Sequence, residues 1–168
     1  MAQQLRGLPK FRLFSSGLSA YTEGWALYAE ELGKEIGFYK DPVSDYGRLS
    51  SELFRAVRLV VDTGIHDKGW TRDQVIAYMR ENDVNAVLAQ TETDRYIAWP
   101  GQALAYKMGQ LKIRELRERA KTQLGPRFDI KAFHDEILDG GALPLDLLEA
   151  RVNGWIKTQL PPKAAAVR

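Results

Sequence analysis

The stretch 19-SAYTEGWALYAEELGKEIGFY-39 decides the fold class, because it has the pattern of one long amphipathic helix. Its apolar residues recur at helical spacing, and glutamates with a lysine form the polar face. Gly24 lies near the start of this helix, and glycine inside a helix lowers helix stability by about 1 kcal/mol relative to alanine. The adjacent Glu23 is either a solvent-exposed carboxylate or, among aromatic neighbours, a partly buried one that needs a partner.

The rest of the chain continues the helical pattern, with no convincing strand alternation and no internal repeat. A short helix capped by Asp129 ends at 138, and Pro144 is expected at position N1 of the last helix. The capping-box pattern of Thr71 and Gln74 starts another. Besides the short helix that ends at 138, the predicted helices cover 2–14, 19–38, 44–65, 72–81, 85–99, 102–124 and 144–158. The fold class is therefore all-α: a single-domain bundle of seven to eight helices over 1–160, followed by a disordered tail over 161–168.

Three features of these helices carry further expectations. Pro100 and Gly101 interrupt a helical pattern that resumes at once, which predicts a kink. The charged side chains between 112 and 119 have i,i+4 spacing and predict a solvent-exposed face. The predicted buried side of the helix 44–65 consists of Leu49, Leu53, Val57, Val60, Val61 and Ile65.

Composition excludes several classes of protein. The 168 residues are 45% hydrophobic and 27% charged, which is ordinary for a globular domain. A net charge of +2 is too small to indicate nucleic acid or an anionic membrane as partner. There is no cysteine, so disulfides and thiolate sites are excluded. No apolar run reaches the ~20 residues of a membrane span, and the first residues lack a signal-peptide pattern. We expect a soluble, untargeted chain; its compartment stays open.

Arginines near the middle of the chain are candidate binding residues. Arg55 and Arg58 share a helix face, and Asp62 follows Arg58 by four positions, so an intrahelical pair is feasible. Arg58 lies among apolar neighbours, where arginine usually has an anionic partner. Two interpretations stay open, a structural salt bridge or a clamp for a substrate carboxylate.

Histidines and tyrosines supply the other candidates. His66 ends a helix, where the helix dipole favours it, or it donates to a reacting oxygen. Tyr96 and Tyr106 flank the Pro-Gly interruption and either pack in the core or face a cleft. His134 is predicted to be a surface or capping residue. None of these residues forms a complete motif, since the chain has no His-x-x-x-His, EF-hand, phosphate loop or Gly-x-Ser-x-Gly.

Four stretches carry a resemblance to a known family. YTEGWALYAEELGKEIGFY, RAVRLVVDTGIHDKGW, DRYIAWPGQALAYKMG and FHDEILDGGALPLDLLE occur in this order. They resemble the C-terminal part of the bacterial DUF885 family, a zincin-like group of predicted metallopeptidases. The resemblance covers about 3–152 and implies that the chain is the C-terminal half of a larger helical, zincin-like fold.

The resemblance implies a zinc site that this chain supplies only in part. Family members carry a His-Glu-x-x-x-x-His-His segment upstream, with two histidine ligands and a glutamate general base. Related helical zinc peptidases take a glutamate from the next helix as third ligand, which corresponds to Glu23 here. The small Gly24 would then let this helix approach the missing active-site helix. His66, Tyr96 and Tyr106 are placed at the same cleft as candidate catalytic groups, and Arg55 and Arg58 as substrate-binding groups.

The upstream zinc segment is absent from these 168 residues, which suggests a late gene start, a cut piece or a degraded remnant. In the complete protein, zinc would polarise the scissile carbonyl of a peptide and activate water. We expect this chain alone to bind zinc weakly or not at all and to be inactive. The alternative is a non-catalytic helical interaction module, with apolar helix faces that form a homo-oligomer.

Overall fold

A computed structural model describes residues 7–9, 12 and 17–161, and within these ranges the chain is an all-α bundle without strands. The prediction of seven to eight helices is confirmed, since the described part contains seven α-helices. They are α1 Ser19–Glu35, α2 Pro42–His66, α3 Arg72–Glu81, α4 Ala86–Ala98, α5 Ala105–Leu124, α6 Ile130–Leu138 and α7 Leu145–Gln159. Most of the predicted helix 2–14 and of the tail 161–168 lies outside the described residues.

Local capping chemistry sets most helix boundaries. The capping box of Thr71 and Gln74 is present, and α3 has the predicted bounds. Asp41 caps α2 through the backbone N–H of Ser44, and Pro42 occupies the first turn of α2, so this helix begins two residues before the predicted start at 44. Pro144 was predicted at position N1 of the last helix, and in the structure it is the N-cap of α7, one position earlier.

The end of α1 differs from the prediction because of one glycine. Gly37 has φ +74°, a conformation that glycine adopts without steric cost. The N–H of Phe38 donates to the carbonyl of Gly33 at 2.8 Å, and the N–H of Gly37 donates to that of Lys34 at 3.1 Å. This is the Schellman motif, and it ends α1 at Glu35, three residues before the predicted end at 38.

The Pro-Gly interruption separates two helices close to the predicted ranges 85–99 and 102–124, so it is a full break between helices and not only a kink. α4 ends at Ala98, and Gly101 then adopts φ +78°. A short 3₁₀ turn over Gln102–Leu104 precedes α5.

Two apolar clusters hold the bundle together. The first, the α5 core, joins α1, α5, α6 and α7, and its largest fully buried side chains are Tyr28, Ile113, Leu116, Phe133, Ile137, Leu148 and Ile156. The second, the α4 core, joins α2, α3, α4 and the 3₁₀ turn. It contains Val57, Val61, Val75, Met79, Val84, Ala89, Tyr96 and Ala103.

The charged side of α5 is only partly exposed, contrary to the prediction, because α5 lies between α1 and α7. Arg117 pairs with Glu35 of α1 at 2.7 Å. Lys112 and Arg119 both reach Glu149 of α7, at 2.9 and 2.6 Å. These ion pairs connect α5 to α1 and to α7, the helices that pack with it in the α5 core.

The predicted buried side of α2 is buried only in part. Val57 and Val61 lie in the α4 core, whereas Leu49 is 50% exposed and Leu53 43% exposed. Val60 is also exposed. In the part of the chain that the structure describes, no helix combines the length and the hydrophobicity that a membrane span requires.

Candidate functional site

Glu23 lies in the second turn of α1 and is half-buried. Among the described residues its carboxylate has neither a hydrogen bond nor an ion pair, whereas Glu30, two turns along the same face, pairs with Arg55 at 3.1 Å. Glu23 is therefore a partly enclosed carboxylate without a partner among the described residues.

Gly24 is explained by a neighbour other than the one predicted. A Cβ atom at Gly24 would lie 2.9 Å from the backbone nitrogen of Gln110, and one at Gly109 would lie 2.7 Å from the Cα of Gly24. A Cβ at Gly109 would also overlap the carbonyl of Ala20. The two glycines thus let α1 and α5 pack backbone against backbone, within this chain. This contact accounts for the small residue at position 24 without a helix from outside the chain, and the expected approach of such a helix stays a prediction.

Arg58 is held in a buried network. Its Nη2 donates to Glu92 at 2.9 Å and its Nε donates to the hydroxyl of Tyr96 at 2.9 Å. The Tyr96 hydroxyl donates to Glu92 at 2.6 Å. The guanidinium also lies over the rings of Phe54 and Tyr106, 4.4 and 4.6 Å from their centroids. A structural salt bridge is therefore present.

The partner of Arg58 is Glu92, which the sequence interpretation missed, and Asp62 has a different role. The carboxylate of Asp62 accepts the backbone N–H of Gly101 at 3.1 Å and fixes the turn between α4 and α5. Burial raises the pKa of Asp62, partly offset by this hydrogen bond. The signal available in the sequence was the spacing of Glu92, four residues before Tyr96 on one helix face.

The electrostatics of the network favour an ionised Glu92. Burial by itself would raise the pKa of Glu92, but the Tyr96 hydroxyl and the two guanidinium groups of Arg58 and Arg95 lower it below the ordinary value. Burial and the Glu92 carboxylate raise the pKa of Tyr96. Tyr96 therefore stays a neutral hydrogen-bond donor at physiological pH.

The predicted catalytic residues lie close to this network. His66 Nε2 is 2.9 Å from the backbone carbonyl of Tyr96, so its imidazole N–H donates and connects the end of α2 to α4. Tyr106 is half-buried, with its ring against Arg58. The structure thus brings His66, Tyr96, Tyr106 and Arg58 together. Among the described residues, Arg55 pairs with Glu30 apart from them, and Glu23 makes no hydrogen bond to any of them.

His134 is not the predicted surface or capping residue. Its Nε2 lies 2.9 Å from the Tyr28 hydroxyl, and its ring packs against Trp25, Tyr28 and Phe133. Burial raises the pKa of Tyr28 to about 12, so its hydroxyl is protonated, and the tautomer of His134 decides which of the two groups donates. Arg117 donates to the same hydroxyl at 3.2 Å. Burial and the Arg117 charge lower the pKa of His134.

The described residues do not supply a zinc site by themselves. No three His, Asp or Glu side chains in the described ranges come close enough to hold a metal ion. The Nε2 atoms of both histidines already take part in hydrogen bonds. A catalytic zinc usually takes three protein ligands, and Glu23 offers one.

Comparisons place this all-α bundle in a family. The family model described as "Bacterial protein of unknown function (DUF885)" matches residues 1–152. The chain belongs to the DUF885 family, as its sequence motifs predicted. No curated protein matches it significantly.

Two solved structures share the fold. A crystal structure of a "putative lipoprotein" from Colwellia psychrerythraea matches 94% of this chain with 52% identity and a TM-score of 0.90. A "putative lipoprotein of unknown function" from Shewanella oneidensis matches 82% with 31% identity and a TM-score of 0.75. The chain spans only 27% and 25% of those two proteins, about a quarter of their length.

Proposed function

We propose that this chain is the C-terminal portion of a zinc-dependent peptidase or related hydrolase, in which Glu23 provides one of three metal ligands. The observation that carries the proposal is the state of Glu23. It is a half-buried carboxylate without a partner among the described residues, on a helix that the contact of Gly24 with Gly109 holds in place. A ligand carboxylate needs both a fixed position and a free oxygen.

The length of the relatives also supports a shared site. About three quarters of the Colwellia protein lies outside the part that matches this chain. In the complete protein, the other zinc ligands would come from the region that corresponds to those three quarters. The chain alone lacks a complete ligand set in its described residues, so we expect it to be inactive. Peptide is the proposed substrate of the complete protein. Arg55, Arg58, His66, Tyr96 and Tyr106 remain proposed substrate-binding or catalytic groups.

Metal analysis of two proteins tests the proposal. The first is this chain, dialysed against zinc and then freed of excess metal. The second is a chimera in which this chain replaces the matched quarter of the Colwellia protein. We expect background zinc on the chain and about one zinc on the chimera, where zinc has three protein ligands. Glu23→Ala should remove the metal and the peptidase activity of the chimera, whereas Glu81→Ala, an exposed glutamate of α3, should change neither. Zinc that the chimera retains after Glu23→Ala would contradict the proposed ligand.

A non-catalytic interaction module is the second candidate. It is favoured by the large apolar side chains that remain exposed on α2 and before it, including Phe38, Val43 and Tyr46. Absence of zinc and of peptidase activity from a folded chimera would favour this candidate.

The location of the complete protein is a separate proposal. Since both structural relatives are described by the words "putative lipoprotein", we propose that the complete protein is exported and carries a lipid anchor. Metabolic labelling of the complete protein with a fatty acid tests it, and an unlabelled cytoplasmic product would contradict it.

A further inference from the structure

The N-terminal half of α2 has an apolar side that its neighbours leave uncovered. Tyr46, Leu49 and Leu53 recur at a spacing of three and four residues and therefore share one helix face. They are 68%, 50% and 43% exposed, whereas Val57 and Val61 further along α2 are buried in the α4 core. The apolar surface of α2 is thus continuous, but only its C-terminal half is covered.

The uncovered half forms one wall of a groove. We call this cavity of about 560 Å³ the α2–α4 groove. Its apolar lining consists of Tyr46, Leu49, Leu53, Phe54, Val84 and Leu88. Val84, from the connection between α3 and α4, is nearly fully buried, and Leu88 of α4 is partly exposed. The polar side chains of Asn82 and Asp83 also line it. An apolar groove with a polar border is the usual form of a protein-binding surface.

The relatives indicate what occupies this groove. The fold of this chain recurs over 94% of its length in the Colwellia protein at 52% identity, but it accounts for only 27% of that protein. The remaining part of such a protein belongs to the same polypeptide and is therefore close enough to pack against this quarter. We propose that the α2–α4 groove binds an apolar segment from that remaining part of a DUF885 protein. The proposal concerns a packing surface, and it holds whether or not Glu23 binds a metal.

Cysteine accessibility tests the proposal without disturbing the fold. The chain contains no cysteine, so in the chain alone a single introduced thiol reports one position. In the chimera, mass spectrometry of the peptide that contains the introduced cysteine reports the same position. Leu53→Cys places it in the groove, and Leu147→Cys, in the first turn of α7, is the matched control because Leu147 is also exposed and apolar. Both variants are made in this chain and in the Colwellia chimera, and the rate of maleimide labelling is measured under native conditions.

We expect both thiols to react rapidly in the chain alone. In the chimera, Leu53→Cys should slow by about tenfold or more, since reaction then requires local opening, while Leu147→Cys should keep its rate. Equal labelling of Leu53→Cys in both proteins would overturn the proposal. Equal slowing of both thiols in the chimera would also overturn it, because the cover would not be specific to the groove.

Self-association is the competing outcome. Light scattering measures the mass of the chain alone and of its Leu53→Asp variant, which should keep its helical circular dichroism because position 53 is partly exposed. We expect a monomer in both cases. A dimer of the unmodified chain that Leu53→Asp dissociates would assign the groove to a second copy and overturn the proposal.

Discussion

At the scale of single residues, the surroundings of Arg58 decide its role. Its guanidinium is enclosed by the Glu92 carboxylate, the Tyr96 hydroxyl and two aromatic rings. The side chains of Arg58 and Glu92 are only 8% and 13% exposed. Ion pairs this buried contribute little net stability over an apolar pair, but removing one partner leaves an unpaired buried charge. The network is therefore sensitive to single substitutions.

Glu92→Gln should destabilise the chain strongly. With Arg58 left unpaired, we expect the free energy of unfolding at pH 7 to fall by about 3 kcal/mol. Urea denaturation followed by circular dichroism measures it. Asp94→Asn is the matched control on the same helix, because its ion pair with Arg72 is exposed, and it should have a much smaller effect. An equal decrease in the free energy of unfolding for the two variants would contradict the prediction, because the buried pair would then be no more important for stability than the exposed one.

His134 predicts a pH dependence of stability. Its folded pKa is lowered by burial first and by Arg117 second, so the unfolded chain binds the proton more tightly. The free energy of unfolding should therefore fall as pH drops below the unfolded value of about 6.5. Urea titrations at pH 7.5 and 5.5 measure the decrease, and His134→Gln should reduce it.

Tyr28→Phe distinguishes burial from hydrogen bonding at His134. The variant removes the hydroxyl that contacts Nε2 but keeps an apolar ring beside the imidazole. Because burial is the largest cause of the lowered pKa, we expect Tyr28→Phe to lose some stability and to keep the pH dependence. A pH dependence that disappears in Tyr28→Phe would assign the effect to the hydrogen bond.

At the scale of helices, the contact between Gly24 and Gly109 sets the distance between α1 and α5. Glycine lowers the stability of an isolated helix, and both helices contain one at their contact. The gain is close backbone packing, which also positions Tyr21 and Tyr28 of α1 in the α5 core. Glu23 has its position fixed by the same contact.

Gly109→Ala should therefore destabilise the chain although alanine is the better helix former. The added methyl group overlaps the carbonyl of Ala20, which is backbone and has little room to move. We expect a loss of about 1–3 kcal/mol in the free energy of unfolding, the usual range for overpacking. Gly47→Ala in α2 is the control, because no atom lies within 4 Å of its Cβ position, and it should stabilise slightly. A neutral or stabilising Gly109→Ala would show that the helices can separate without cost.

At the scale of the whole molecule, the two cores differ in completeness. The α5 core contains 11 buried residues from α1, α5, α6 and α7. The α4 core contains 8, and one of its helices, α2, leaves half of its apolar side uncovered. Fewer buried apolar contacts imply a lower free energy of local opening.

Hydrogen exchange should resolve this difference in the chain alone. We expect backbone amides of α3 and α4 to exchange before those of α5 and α7, because the α4 core is smaller. Mass spectrometry of peptides after pulse labelling measures the order. Earlier exchange in α5 than in α4 would contradict the prediction. In the Colwellia chimera, cover of the α2–α4 groove should delay exchange in α4.

The sequence by itself determined the fold class, the family and most helix boundaries, because these depend on short-range patterns. Apolar spacing predicted the helices, and the capping residues Thr71 and Asp129 predicted where two of them start. The end of α1 at Glu35 was also set locally, by Gly37, although the prediction placed it three residues later. The role of Glu23 rests on family resemblance, and it stays a prediction.

Only the tertiary structure decided which residues are partners. Arg58 lies 34 positions from Glu92, Gly24 packs against Gly109, and His134 meets Tyr28 across 106 positions. Helical spacing specifies which side of a helix is apolar, but it does not specify which helix covers that side. For the same reason, α2 has the pattern of a buried helix, yet half of its apolar side is exposed in this chain.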